Sequence, residues 1–238
     1  MSFPSLHKSL TALIGSVTLL SLAAGCAPTL HPAADATPAP GGGATATSGG
    51  ISIVTMTPDF PGSVDIEQAL TPVKVRIRNT GKATALVRYS EFTLMASDGT
   101  VYPALPLYKI DGSVSEPLSY DPIIEPGFRW RRFRVASYYG GLYPGIPSFG
   151  GPYAWGRYGW PYYDDAFGPG FANVKLPTPA MYRNVLPEGV LDPGGELEGW
   201  LYFKKVKPQQ GTIVFNAAIT DVQGGALGKI SIPYIFAK

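Results

Sequence analysis

Two carboxylates two residues apart, Glu196 and Glu198, share one face of an alternating segment with Trp200 and Tyr202. Glycoside hydrolysis uses this combination: one carboxyl protonates the leaving oxygen, a second carboxylate attacks or activates water, and aromatic rings stack on the sugar. The solvent face of an ordinary strand carries the same pattern, and alternation alone does not separate the two. Other chemistries have fewer residues to draw on. The chain has two histidines, His7 and His31, and one cysteine, Cys26, all near its start. Beyond them no imidazole is present to activate a serine or threonine nucleophile, and the His and Cys clusters that hold zinc or copper are absent from the sequence. Asp164-Asp165 is the one adjacent acidic pair, and it lacks the spacing of a calcium loop. Gly140-Gly141 lacks the Lys-Ser/Thr that completes a phosphate loop. The expectation is a protein that is not an enzyme, with no cofactor and no metal. A carbohydrate-active enzyme or glycan-binding protein using the Glu196, Glu198, Trp200 and Tyr202 face is the alternative.

Two other clusters suit binding. Between Ser137 and Phe171 the chain concentrates Tyr138, Tyr139, Tyr143, Tyr153, Trp155, Tyr158, Trp160, Tyr162 and Tyr163, together with Phe149 and Phe167, separated mostly by Gly and Pro. Pro and Gly oppose a regular helix or central strand there. Tyr and Trp offer large rigid faces with a polar tip at little entropic cost. Three readings stand together: extra core folded back on the domain, a surface for a protein or polysaccharide partner, or a self-associating or membrane-touching loop. The second cluster is Arg129, Arg131, Arg132 and Arg134 around Trp130 and Phe133. It suits arginines lying over aromatics and pairing with surface acids, or a contact for anionic headgroups or glycans.

Composition limits the partners. With the first 25 residues set aside, 18 basic side chains face 17 acidic ones. This near balance gives no nucleic-acid footprint. Those first residues follow the three-part plan of a secretory signal: a positive charge at Lys8, an apolar run from Leu10 to Ala24, then small residues up to Gly25. The run falls short of the roughly 20 residues needed to cross a bilayer. Residues 26–50 are rich in Ala, Pro, Thr and Gly and poor in large apolar side chains. That composition predicts a disordered tether, with a reach of about 80 Å when extended.

From Ile51 the texture becomes that of strands. Val73, Val75 and Ile77 alternate with Lys74, Arg76 and Arg78, the period-two pattern of a half-buried strand. Asn79 to Lys82 reads as a turn, Leu86 to Met95 as the next strand, Asp98-Gly99 as a turn, and Phe128 to Val135 as a further strand. Leu191 to Gly195 reads as a turn before a strand facing inward at Leu197, Gly199, Leu201 and Phe203. Ile213 to Ile219 and Ile230 to Phe236 complete the series. Asp65 to Leu70 is the best short helix. Many short strands with turns between them argue for an all-β antiparallel sandwich spanning 51–238, with 137–171 as a long Gly/Tyr/Pro-rich insertion.

Two resemblances add to this reading. Leu22-Ala23-Ala24-Gly25-Cys26 resembles the bacterial lipobox. It implies cleavage after residue 25, a lipid on Cys26, and membrane attachment through that lipid in the cell envelope. Ala27, rather than Asp, in the next position implies the outer membrane for a Gram-negative host. The second resemblance rests on four motifs in order: Val73-x-Val75-x-x-x-Asn79-x-Gly81, Phe92-x-Leu94-x-x-x-Asp98-Gly99-x-x-Tyr102, Leu191-x-Pro193-Gly194, and Gly199-x-Leu201-x-Phe203. Together they resemble the small immunoglobulin-like domains of secreted bacterial proteins and lipoproteins. This implies an immunoglobulin-like sandwich acting as an accessory or binding module, and it assigns no functional residue.

Overall fold

The computed structural model describes residues 30–40, 42–61, 65–117, 129–135 and 171–236. Residues 1–25, Cys26 and the aromatic side chains of the insertion lie outside them. The described protein is all-β and antiparallel, with one short helix, α1 (Pro179–Asn184). The strands are β1 (Leu30–Pro32), β2 (Ala44–Ser48), β3 (Ile51–Met56), β4 (Leu70–Asn79), β5 (Ala85–Val87), β6 (Phe92–Ala96), β7 (Val101–Pro103), β8 (Ser113–Pro117), β9 (Arg129–Val135), β10 (Phe171–Lys175), β11 (Gly189–Lys204), β12 (Ile213–Asp221) and β13 (Ala226–Phe236).

One sheet runs β1-β13-β12-β5-β11-β4-β3-β2, with β6, β7 and β9 added at its sides, while β8 and β10 form a separate pair. It does not divide into the two clear layers expected of a sandwich, but curls until it is nearly closed into an eight-stranded barrel. The inward face follows the alternation in the sequence. Ile51, Ile53, Val73, Val75, Ile77, Leu197, Leu201, Phe203, Ile213, Phe215, Ile230 and Ile232 are all buried. An apolar packed interior with charges on the outer face of β4 and β11 is the inverse of the lipid-facing arrangement of a membrane barrel.

The segment expected to be a tether supplies the strands at both ends of this sheet. Leu30 pairs with Phe236 and Pro32 with Tyr234, so β1 flanks the end of β13. Thr57 Oγ1 donates to the Leu30 carbonyl. Residues 44–48 pair along β3 from Thr55 to Ile51, and Ala44 is fully buried. Residues 30–50 are therefore not a free tether. Their small side chains reflect close backbone approach. A Cβ at Gly49 would lie 1.5 Å from the Leu227 carbonyl oxygen, one at Gly43 2.1 Å from that of Thr55, and one at Gly228 2.6 Å from that of Ser48. Only glycine fits where two backbones come this near. Across the same seam the buried hydroxyls of Thr55 and Tyr234 hydrogen-bond to each other.

Two further expectations change. The run from Leu86 to Met95 is broken by a 3-10 turn at Tyr89–Glu91, which separates β5 from β6. Asp192 to Gly195 is no terminal turn but an irregularity inside the long β11. The register along β9 jumps there, from Leu191↔Phe133 to Glu196↔Arg131, and Arg132 adopts a φ of 50°, an uncommon conformation for a side chain with a Cβ. β9 occupies one edge of β11. β4 and β5 lie end to end on the other, pairing with Glu196–Lys204 and Gly189–Leu191. Outside the barrel, α1 begins at Thr178, whose hydroxyl accepts from the Met181 amide, a capping contact typically contributing about 1 kcal/mol.

Candidate functional site

The outer face of β4 and β11 gathers the carboxylates singled out by the sequence. Register places Glu198 opposite Arg76, Glu196 opposite Arg78 and Trp200 opposite Lys74. Partners across an antiparallel pair project to the same side, so the alternating cations of one strand meet the alternating acids of the other. Glu198 lies 2.8 Å from Lys74 Nζ and 2.6 Å from Arg76 Nε. Arg76 also reaches Glu196 at 3.6 Å, and Arg78 reaches it at 3.0 Å. The result is a ladder of ion pairs along the strands.

The surroundings of Glu198 disfavour a general-acid role for that carboxyl. Burial disfavours the Glu198 anion, but hydrogen bonds and charge from Lys74 and Arg76 outweigh it and hold the carboxyl below its ordinary value. A glycosidic general acid needs the reverse, a carboxyl kept protonated at neutral pH.

The aromatic platform beside these acids does not exist at the surface. Trp200 is 2% exposed and Tyr202 0%. Phe60 packs edge-on against both, with ring centroids 5.1 Å and 5.9 Å away. The Tyr202 hydroxyl donates to the Met181 carbonyl in α1 at 3.2 Å, and the Leu186 amide donates to the Trp200 carbonyl at 2.8 Å. These rings are core beneath a second layer, so the expected sugar-stacking face is corrected to a packing interface. Alternation located the face on which they sit, but the layer covering them comes from distant segments.

The arginines of β9 engage the irregularity of β11. Arg131 Nη2 donates to the Gly194 carbonyl at 3.4 Å, Arg132 Nη1 to that of Pro193 at 3.2 Å, and Arg134 pairs with Asp192 at 2.8 Å. Arg131 stands in register with Glu196. Among the described side chains, Lys74, Arg76, Arg78 and Arg131 thus share this outer face with Glu196 and Glu198. Lys74, Arg76 and Arg78 escaped the sequence reading as partners because alternation gives a face but not a cross-strand register.

Among the described residues no group of three or more His, Cys, Asp or Glu comes together to hold a metal, and no helix is long and apolar enough to cross a membrane. The candidate binding residues Tyr138 to Tyr163, and the lipidation candidate Cys26, lie outside the described residues. The ends of the insertion are placed: Val135 pairs with Gly189, and Phe171 pairs with Pro117. No protein-family model, curated protein or solved structure matches the chain.

Proposed function

We propose that the chain is a lipid-anchored, non-enzymatic module of the cell envelope that binds a protein or polysaccharide through the aromatic insertion at 137–171. Cys26 carries the lipid, with the outer membrane as the location in a Gram-negative host. The observation that carries the binding reading is the commitment of the alternative site to structure. Glu196 and Glu198 are tied into a four-residue ion-pair ladder with Arg76 and Arg78, and to Lys74 beyond it. Trp200 and Tyr202 are buried. The densest set of rings left is Tyr138, Tyr139, Tyr143, Tyr153, Trp155, Tyr158, Trp160, Tyr162 and Tyr163, entered and left through strands at Val135 and Phe171. The immunoglobulin-like resemblance is kept as a proposal on one feature: β5 pairs with both β11 and β12, as a strand does at the corner where it passes from one sheet to another.

Deletion of Gly140 to Gly168 is the test of the binding surface. Crosslinking in intact cells is expected to recover a partner with the native chain and none with the deletion, while both keep the same β-sheet circular dichroism. Equal recovery from both rejects the insertion as the binding surface. For the anchor, Cys26→Ser is expected to abolish uptake of labelled fatty acid and release the protein from membranes.

A further inference from the structure

Side chains paired across the outer face of β13, β12, β6 and β7 form an apolar row. Val214 stands opposite Pro233 on one side and Met95 on the other, and Met95 stands opposite Val101. Ile235 lies two residues beyond Pro233 on the same face, opposite His31 of β1. Met95 is 41% exposed, Val101 54% and Ile235 44%, and none of the five carries a charge. The next position along three of these strands on this face is polar, Ser231, Asn216 and Thr93, with Ser231 donating to Asn216 Oδ1 at 2.7 Å, and on β7 it is Pro103. Lys229 and Ala218 follow. On the other side of the row Ser97 and Thr212 are polar and exposed, so the apolar side chains form a single row on this face.

The short link from Leu30 back to Cys26 bears on what could lie against this row. Leu30 is held by Phe236 and Thr57, and it lies only four residues after Cys26. Four extended residues span about 14 Å. A lipid on Cys26 then keeps β1 within that distance of the bilayer surface. Ile235 pairs directly with β1, and the rest of the row extends about 15 Å across three strand spacings. We infer that the outer face of β13-β12-β6-β7 rests on the membrane at its β1 end, with Ile235, Pro233, Val214, Met95 and Val101 in the headgroup-to-acyl boundary. This inference rests on the lipid anchor proposed above. Contact of apolar side chains with that boundary adds to the hold of the acyl chains and fixes which side of the barrel faces outward.

The native chain has one cysteine, and acylation consumes its thiol. A second cysteine is therefore the only site for a thiol-specific spin label. Met95→Cys, Val101→Cys and Ile235→Cys, with Val222→Cys as a reference in the turn at the far end of β12, are purified as the full lipidated chain and reconstituted into vesicles of phosphatidylethanolamine and phosphatidylglycerol. Mass measurement of the acylated N-terminus is made on the same samples. Collision of the label with oxygen, which concentrates in lipid, is compared with collision with a water-soluble nickel chelate. The oxygen-to-nickel ratio is expected to be several-fold higher at positions 95, 101 and 235 than at 222. Acylated protein with equal ratios at all four positions overturns the membrane contact and leaves the anchor intact. Positions shielded from nickel without a gain in oxygen collision point to a protein partner or a second copy on the row, and also overturn it. Absence of the acyl mass overturns the anchor itself, and the membrane contact with it.

Discussion

Asn79 Nδ2 donates to the Leu191 carbonyl at 3.0 Å, joining the end of β4 to the point where β11 leaves its regular register. The same amide nitrogen donates to the Ala83 carbonyl at 2.8 Å, and Asn79 Oδ1 accepts from the Gly81 amide. One fully buried side chain thus satisfies the backbone of two neighbouring excursions, 80–84 and 192–195. Apolar replacement leaves two carbonyls and an amide without these partners. Asn79→Ala is expected to lower stability by roughly 2–4 kcal/mol, read from the urea unfolding midpoint. Asn79→Asp keeps the acceptor for Gly81 but turns a carboxylate toward two carbonyls, and is expected to be at least as damaging at neutral pH.

The seam between β2 and β13 depends on glycine. Gly228→Val sets a branched side chain where even a Cβ lies 2.6 Å from the Ser48 carbonyl oxygen. Residues 44–48 are expected to detach from β13, with amide hydrogen exchange accelerated across Ala44–Ser48 and little changed in Val73 to Ile77 of β4. Ala218→Val, on the exposed face of β12, is expected to leave both unchanged.

Tyr234 makes the same seam sensitive to alkali. Burial pushes its phenol up to about 12, against a smaller opposing effect of the Thr55 hydroxyl. The unfolded chain ionises its tyrosines near 10. The folded state therefore retains a proton that the unfolded state has lost, and stability falls as pH rises from about 10 toward 12. The loss is roughly 2–3 kcal/mol at full extent. Tyr234→Phe is expected to remove this component, seen as a shallower decline of the unfolding midpoint above pH 10 than in the native chain.

Glu91 sets a dependence of the same sign at lower pH. Its side chain is 6% exposed, and burial raises its carboxyl above the ordinary value despite contacts with Thr220 and Arg88. Its Oε2 is buried without a hydrogen-bond partner. The unfolded state releases this proton first, so stability declines as pH rises from about 4.5 through the raised folded value and is level beyond it. In Glu91→Gln the decline is expected to be absent. The difference in unfolding midpoint between the two proteins, measured from pH 4 to 8, checks it.

Much of the β architecture was legible because period-two alternation follows directly from the geometry of a strand with one wet face. β4, β12 and the inward positions of β11 follow that rule. Three features were hidden, each for a physical reason. Residues 30–50 resembled a linker because close-packed backbone selects the same Gly, Ala and Thr that a flexible chain uses. Leu191 to Gly195 resembled a hairpin turn because Pro and Gly also suit an irregularity in the middle of a strand, and only its partner strands distinguish the two. Trp200 and Tyr202 resembled a surface platform because they alternate with the core, while Phe60 and α1, which cover them, are remote in sequence.

Pairing Leu30 with Phe236 joins the first and last described strands of the chain. During synthesis the N-terminus emerges first, so β1 has no partner strand until β13 has left the ribosome. Local pairs such as β2 with β3 and β12 with β13 need only short loops to close, whereas this pair bears the loop-closure entropy of nearly the whole chain. Pairing of β1 with β13 is thus placed late in folding, once both strands are available. Until then the outer edge of β13 stands open to pairing with other chains, which makes this step the point at which folding and aggregation compete.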